Sequence, residues 1–106
     1  MKKIMLRRYK ILKTNAEKTK GLMFLDKVEE RLVFIFKNDI DSPFHSFFCP
    51  EFDIIFLNEK MRVNEYQEVR TWRFIKPKKK YKYVLEAEPG FIRKNKINIG
   101  DLVILD

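Results

Sequence analysis

The stretch FHSFFCPEFDIIFL, residues 44–57, holds the residue types that could do chemistry. It contains the only histidine of the chain, His45, its only cysteine, Cys49, and an aspartate, Asp53, ahead of an apolar run. A thiol and an imidazole act together only when they lie within hydrogen-bond reach of one another. Because residues i and i+4 of a strand lie about 13 Å apart, an extended segment keeps His45 and Cys49 separate. We therefore expect Cys49 to be a small buried apolar residue.

His45 and Asp53 form the second candidate pair. If Asp53 lies on a neighbouring strand, its carboxylate could orient the imidazole of His45 and make it more basic. The same contact could also serve only to satisfy two polar groups at the edge of a core. The sequence supports both interpretations, a structural pair and an enzyme that uses His45 as base and Asp53 as the group that orients it.

Three more residues could contribute to the same site. Glu86 interrupts the apolar pattern of VLEAE, so its carboxyl must reach solvent or a partner. Trp72 beside Arg73 places an aromatic plate next to a guanidinium, which can bind an anionic or planar ligand or close the edge of the core. Our leading hypothesis is a non-enzymatic binding module for a small polar or anionic ligand. The predicted ligand surface is the place where these side chains converge: His45, Asp53, Trp72, Arg73 and Glu86.

Positive charge suggests an alternative function. The chain has 23 Lys and Arg against 15 Asp and Glu, a net charge of +8, and residues 1–20 alone carry eight bases and one acid. Basic patches attract nucleic acids and other anionic polymers, although a lysine-rich surface also serves solubility. The alternative is therefore nucleic-acid binding through the basic N-terminus and a lysine run. That run comprises Lys76, Lys78, Lys79, Lys80 and Lys82.

Several classes of protein are excluded by what the sequence lacks. There is no Gly-rich phosphate loop, nucleophile elbow or HExxH pair, and one cysteine allows neither an internal disulfide nor a zinc site of several thiolates. We therefore predict no metal and no cofactor. The longest apolar run is the five residues LVFIF, so we expect no membrane span. Charges interrupt the opening MKKIMLRRYKILK before a secretory signal could form, and we expect a cytoplasmic protein.

Short apolar runs rich in β-branched and aromatic residues predict the elements. Strands are expected in IMLRRYKIL, RLVFIF, FHSFFC, DIIFL, MRVNEYQEV, RTWRFI, YKYVLEAE and LVIL. Thr14 and Glu17 have capping-box spacing and predict a short helix, and PGFIRKNKINIGD predicts a second helix or a turn. In YKYVLEAE, alternation predicts that Tyr81 and Tyr83 lie on the core face with Leu85. The prediction is a mainly β protein, a single domain over residues 1–106, built as a β-sandwich or irregular barrel of about eight strands.

The ordered segments AEKTKGLMF, LVFIF, FHSFFCPEFDIIFLN and VLEAEPGFIRKNKINIGDLV resemble the family named domain of unknown function 192, over about residues 14–104. Within it the chain is similar to a branch with a His-x-Phe-Phe segment, an Asp-initiated strand and a later Trp-Arg. Many members have Trp-Met-Lys-Asn where this chain has HSFF, so no role of those residues transfers. The resemblance implies a compact β-sandwich or barrel domain without an established activity.

Overall fold

The computed structural model describes the backbone of residues 1–106 and every side chain except those of residues 16, 19, 38 and 39. Along this described chain the structure has nine strands and two short helices. In chain order they are β1 (Lys3–Leu6), β2 (Tyr9–Leu12), α1 (Asn15–Lys20), β3 (Arg31–Ile40), β4 (Phe44–His45), β5 (Phe52–Leu57), β6 (Val63–Val69), β7 (Phe74–Ile75), β8 (Tyr81–Ala87), α2 (Phe91–Lys94) and β9 (Leu102–Leu105). The mainly β prediction is confirmed. Neither helix of this described chain is long and apolar enough to cross a bilayer.

Five of the strands form the central sheet, in the order β2-β3-β8-β5-β6. Strand β2 runs parallel to β3, and the remaining neighbours are antiparallel. Two small sheets accompany it: β1 pairs parallel with β9, and β4 pairs antiparallel with β7. The central sheet is open, with β2 and β6 as its edges. The architecture is therefore layered and does not close into a barrel.

Both faces of the central sheet are buried at its inner strands. Strand β5 is buried at all six of its positions, as is typical of a strand covered on two sides. On one face Ile55 and Leu85 pack in a core cluster with residues of β1, β9 and α2. On the other face Ile54 and Phe34 pack with residues of β4 and of the segment that follows α1. The sheet is the middle layer, and each face has its own core.

Helix α1 begins where the sequence predicts. The hydroxyl of Thr14 accepts a hydrogen bond from the amide of Glu17 at 3.1 Å, and the Glu17 carboxylate accepts one from the amide of Thr14 at 3.1 Å. This reciprocal capping box confirms the predicted helix start. Gly21 ends the helix with a φ of 44°, a conformation that glycine adopts without a Cβ clash.

Three sequence-based predictions about elements are wrong. IMLRRYKIL is not one strand, because Arg8 takes a φ of 56° and turns the chain from β1 in one sheet to β2 in another. FHSFFC is a strand only at Phe44–His45, after which the chain turns, and RTWRFI is a strand only at Phe74–Ile75. A charged middle between apolar ends is typical of an edge strand, and a chain that crosses from one sheet to another has the same pattern.

Tyr81 also departs from its predicted position. It packs with Phe36, Phe44 and Phe56, in the core opposite to the one that holds Leu85. The register between β3 and β8 shifts between Ile35 and Ile40, so strict alternation does not extend to the start of β8.

Asp101 ties the N-terminal segment to the turn before β9. Its carboxylate accepts hydrogen bonds from the Lys2 amide at 3.1 Å, the Lys2 ammonium at 2.9 Å and the Asn98 amide at 2.8 Å. These donors, with Lys2 first, lower the pKa of Asp101 to about 2. The carboxylate therefore supports the β1–β9 pairing in its ionised form.

We expect Asp101→Asn to destabilise the protein in a pH-dependent way. Because the folded-state pKa lies below that of the unfolded chain, the contribution of Asp101 is present above about pH 4 and is lost as the pH falls towards 2. Urea unfolding should show a wild-type advantage at pH 6 that disappears in acid. Asp26→Asn, at an exposed aspartate outside this network, is the control. An Asp101 effect that is constant with pH would contradict this role.

Candidate functional site

A cavity of about 370 Å³ opens between α1 and one face of the central sheet. Most of its wall is apolar and comes from the core cluster that contains Ile54 and Phe34. The apolar lining consists of Leu22, Met23, Phe34, Phe36, Ile40, Phe44, Cys49 and Tyr81. Its charged lining consists of Lys18, Lys20 and Glu86, with His45 also at the wall. Pockets of this kind, apolar with a few polar groups, are the usual form of small-molecule sites.

Glu86 is the buried polar group of the cavity. It lies on the central strand β8 between Leu32 and Ile54, and its residue is only 4% exposed. None of the described residues donates a hydrogen bond to its carboxyl group. Every fully enclosed polar side-chain atom of the described residues has a partner, so the Glu86 oxygens are not fully enclosed. They face the cavity that Glu86 lines. Burial raises the pKa of Glu86 to about 8, because the ionised form loses its hydration.

Small and basic residues of α1 and its C-terminal end frame the cavity above Glu86. A Cβ atom built on Gly21 would lie 3.8 Å from the Glu86 Oε1 and 3.4 Å from the Phe34 ring, which are ordinary contact distances, so the Gly21 backbone lies close to both residues at the cavity wall. The Lys18 ammonium lies 4.2 Å from the centroid of the Phe36 ring, a cation–π distance. Positive charge therefore lies at the wall of a cavity that contains a carboxyl group.

Cys49 is buried, as the sequence predicts, and also lines the cavity. Burial, with a smaller contribution from the charge of Glu86, raises the pKa of its thiol to about 11. A thiol that stays protonated at neutral pH is a poor nucleophile. The geometry agrees with a packing role for Cys49.

Asp53 does not belong to this cavity. In the register of β5 and β8, Asp53 lies opposite Ala87 while Ile54 lies opposite Glu86, so alternation places Asp53 and Glu86 on opposite faces of the sheet. The Asp53 carboxylate accepts a hydrogen bond from the amide of Ile92 at 2.8 Å in α2, and burial raises its pKa. The predicted His45–Asp53 contact is wrong, because Asp53 lies on the α2 face of the sheet and His45 lies at the cavity on the other face.

The remaining predicted residues lie on the surface next to the cavity. His45 is exposed, its Nδ1 accepts a hydrogen bond from the Phe47 amide at 3.3 Å, and its ring stacks on Phe47 at 5.1 Å. Trp72 and Arg73 are exposed in the turn before β7. The predicted convergence of all five residues is therefore wrong: His45 and Glu86 share the cavity, Trp72 and Arg73 lie outside it, and Asp53 lies beyond the sheet. Their ligand-binding role stays a prediction.

Trp72 is the centre of an exposed group of rings that we call the aromatic platform. It consists of Phe24, Phe47, Phe48, Trp72 and Phe74. Ring centroids lie 4.7 Å apart for Phe48 and Trp72, 5.3 Å for Phe47 and Trp72, 5.0 Å for Phe47 and Phe74, and 5.4 Å for Phe24 and Phe48. These are distances of direct aromatic contact, so three separate segments of the chain bring their rings into one contacting group.

Ser46 holds two of these loops together. It is fully buried; its hydroxyl accepts a hydrogen bond from the Arg73 amide at 2.7 Å and donates to the Arg70 carbonyl at 2.8 Å. Its own amide donates to the Arg73 carbonyl at 2.8 Å, and its carbonyl accepts from the Trp72 amide at 3.3 Å. Sequence reasoning missed Ser46, Phe24 and Gly21. The only sign in the sequence that Ser46 has a structural role is its position as a small polar residue within an otherwise aromatic run.

The lysine run begins directly after β7. Lys76, Lys78, Lys79 and Lys80 are exposed, and the amide of Lys78 donates to both oxygens of the Glu65 carboxylate at 2.8 and 3.0 Å. Lys82 lies on β8, and its ammonium donates to the Lys37 carbonyl at 3.2 Å. The run is therefore a loop that is bonded to β6 and continues into β8.

Comparison with known proteins agrees with the layered β fold and with the order of its segments. The model of the family DUF192, described as an uncharacterised ACR, matches residues 3–105. The chain belongs to the DUF192 family. A UPF0127 protein of Thermococcus gammatolerans is 32% identical over 96 residues, which are 88% of this chain and 63% of the relative. One from Thermococcus sibiricus is 34% identical, covering 93% of this chain and 66% of the relative. The chain thus spans less than two thirds of these relatives.

Solved structures similar to this DUF192 chain agree with its fold. A protein of unknown function from Novosphingobium aromaticivorans superposes with a TM-score of 0.77 at 26% identity, covering 87% of this chain and 70% of the other. A protein from Sinorhizobium meliloti superposes with a TM-score of 0.79 at 15% identity, covering 87% and 76%, which shows the fold alone. Neither likeness names a reaction for this family.

We expect Glu86→Gln to reduce the pH dependence of the free energy of unfolding, because it removes the titrating carboxyl group. With its pKa raised to about 8, folded Glu86 keeps its proton at pH values where the unfolded chain has released it. Stability is therefore lost as the pH rises from about 4 to about 8, by an amount on the order of a few kcal/mol. Urea unfolding at pH 5 and pH 8 should show a smaller loss in Glu86→Gln than in wild type. Glu59→Gln, at an exposed position, should behave as wild type, whereas equal losses in all three proteins would contradict the assignment.

We expect Ser46→Ala to destabilise the protein by about 1–3 kcal/mol, because it leaves buried backbone groups of the 70–73 turn without their partner. The emission of Trp72, the only tryptophan, should shift as its turn loosens. Urea unfolding and fluorescence measure both effects. Ser42→Ala is the matched control at an exposed serine, and an equal effect there would refute the special role of Ser46.

Proposed function

We propose that residues 1–106 act as one binding domain for a small molecule with an apolar body, a hydrogen-bond donor and an anionic end. The observation that carries the proposal is Glu86, a buried carboxyl group that faces a cavity and has no donor among the described residues. Burying a polar group without a partner is costly, and a bound ligand that donates a hydrogen bond offsets that cost.

The apolar body follows from the wall of the cavity. Phe34, Phe36 and Phe44 line it together with Leu22 and Met23, and their surfaces are best covered by an apolar ligand. A fully polar ligand would lose its hydration against these side chains without replacement bonds. The ligand expected from the sequence, small and polar or anionic, is thus refined to one that is polar only at its ends.

The anionic end follows from the two lysines. Lys18 and Lys20 belong to the last turn of α1 and line the cavity. An anionic group directed towards them forms charge-assisted contacts, while the opposite end of the ligand reaches Glu86. In this orientation the anionic end of the ligand lies at the lysines and its hydrogen-bond donor lies at Glu86.

The enzyme alternative based on His45 and Asp53 has no geometric support. Asp53 accepts its hydrogen bond from Ile92 on the far face of the sheet, so it does not orient the His45 ring. The Nδ1 of His45 accepts from a backbone amide, so a neutral ring carries its proton on Nε2. His45 contributes in this proposal as part of the cavity wall.

A matched pair of probes tests the proposal. 4-(4-Aminophenyl)butyrate has an apolar ring, a carboxylate and an amino group that can donate to Glu86, and 4-phenylbutyrate lacks only that donor. We expect calorimetric titration of the full chain at pH 7 to show binding of the amino compound that is about tenfold tighter, the effect of one buried hydrogen bond. Weaker binding of both compounds by Lys18→Gln would support the predicted orientation.

Two substitutions at one position provide the control. Glu86→Leu removes the acceptor, so the preference for the amino compound should disappear, whereas Glu86→Gln keeps a carbonyl acceptor and should retain part of it. Trp72→Asn, outside the cavity, should leave the titrations unchanged. Failure of both probes to bind wild type, or a preference that survives in a folded Glu86→Leu protein, would refute the proposal.

A further inference from the structure

We propose that the aromatic platform, flanked by Arg70, Arg73 and Lys76, binds single-stranded nucleic acid by stacking bases on its rings. This site is separate from the Glu86 cavity and does not depend on the function proposed for that cavity. The nucleic-acid hypothesis drawn from the sequence used the basic N-terminus and the lysine run. The platform adds a group of exposed rings, of which Phe74 precedes Lys76 by two residues.

Exposure of the rings is the first observation. Phe24 is 72% exposed, Phe48 52%, Trp72 55% and Phe74 69%. Rings of this size are mostly buried in proteins, and a contiguous exposed group usually marks a contact surface. Here the rings contact one another through Trp72 and Phe47, with interplanar angles of 28° to 77°. They therefore present several exposed rings in different orientations, and successive bases of a strand can each stack on a separate ring.

Backbone conformation is the second observation. Three residues of the platform have positive φ values, 66° at Phe24, 61° at Phe48 and 59° at Trp72. Aromatic residues rarely adopt this left-handed conformation, and such strain concentrates at functional sites. The amide of Phe24 donates to the Phe48 carbonyl at 2.7 Å and that of Trp72 to the Ser46 carbonyl at 3.3 Å, so the strained turns are cross-linked. The rings are therefore presented in a fixed arrangement, which reduces the entropy lost on binding.

Charge selects the kind of partner. Residues 70–80, RTWRFIKPKKK, contain six bases and no acid, and Arg70, Arg73 and Lys76 are exposed beside Trp72 and Phe74. Alternating rings and cations match the alternating bases and phosphates of a single strand. A second copy of the chain fits this surface less well, because a two-fold contact would bring the same six bases of both copies together. A duplex hides its base faces and cannot stack on the rings.

Trp72 reports directly on the interaction, since it is the only tryptophan of the chain. We expect a short oligothymidylate to quench its fluorescence at low salt, with a dissociation constant on the order of 10 µM, and a duplex of equal length to leave it nearly unchanged. Raising the salt should weaken binding steeply because counterions are released from the phosphates. Anisotropy of a labelled oligothymidylate measures the variants that lack the tryptophan.

Matched substitutions separate stacking from charge. Trp72→Asn removes the ring but tolerates the left-handed backbone, and Phe74→Ser removes a second ring; each should weaken binding about tenfold. Tyr66→Ser, at an exposed ring on β6 outside the platform, should have no effect. Arg73→Gln should reduce the salt dependence, whereas Lys60→Gln, in the β5–β6 turn, should not.

Three results would overturn the inference. The first is no binding of the oligothymidylate at low salt. The second is binding that survives Trp72→Asn and Phe74→Ser but is lost on replacing Lys78, Lys79 and Lys80, which would assign it to lysine charge alone. The third is self-association abolished by Trp72→Asn without oligonucleotide binding. Glu86→Leu should leave oligonucleotide binding unchanged, so failure of the cavity proposal is distinguishable from failure of this one.

Discussion

The pairing of β5 with β8 at the centre of the open sheet is the constraint on which the rest of the structure depends. Both strands are covered on two faces, so successive residues along each strand point alternately into one core and the other. This register sends Asp53 to the α2 side and Glu86 to the cavity side. A shift of β8 by one residue would turn Glu86 to the α2 side of the sheet, where both carboxyl groups would lie in one core.

The Glu86 carboxyl group in the cavity wall lowers the stability of the fold. Glu86 holds a carboxyl group within an apolar layer, and its raised pKa shows that the neutral form fits there better than the ionised one. A leucine at this position would fill the layer without a polar group. The proposed function supplies a hydrogen-bond partner for this carboxyl group when a ligand is bound.

The aromatic platform shows a similar compromise. Left-handed backbone at Phe24, Phe48 and Trp72 costs about 1 kcal/mol or more at each position, and glycine or asparagine would remove most of that cost. The buried hydrogen bonds of Ser46 compensate by fixing the turns. The cavity and the platform adjoin at His45, which lines one and stacks on the other.

The mainly β class, the capped helix at Thr14 and the buried state of Cys49 are predictable from the amino-acid sequence alone. Hydrophobic period, capping and composition act over a few neighbouring residues. The interrupted apolar pattern also identifies Glu86 as a residue in need of a partner. The position of Asp53 on the far face and the bonds of Ser46 to a second loop are not predictable in this way, because they depend on register and on contacts between distant segments. The same reason applies to the platform, whose rings come from three segments that are separate in sequence.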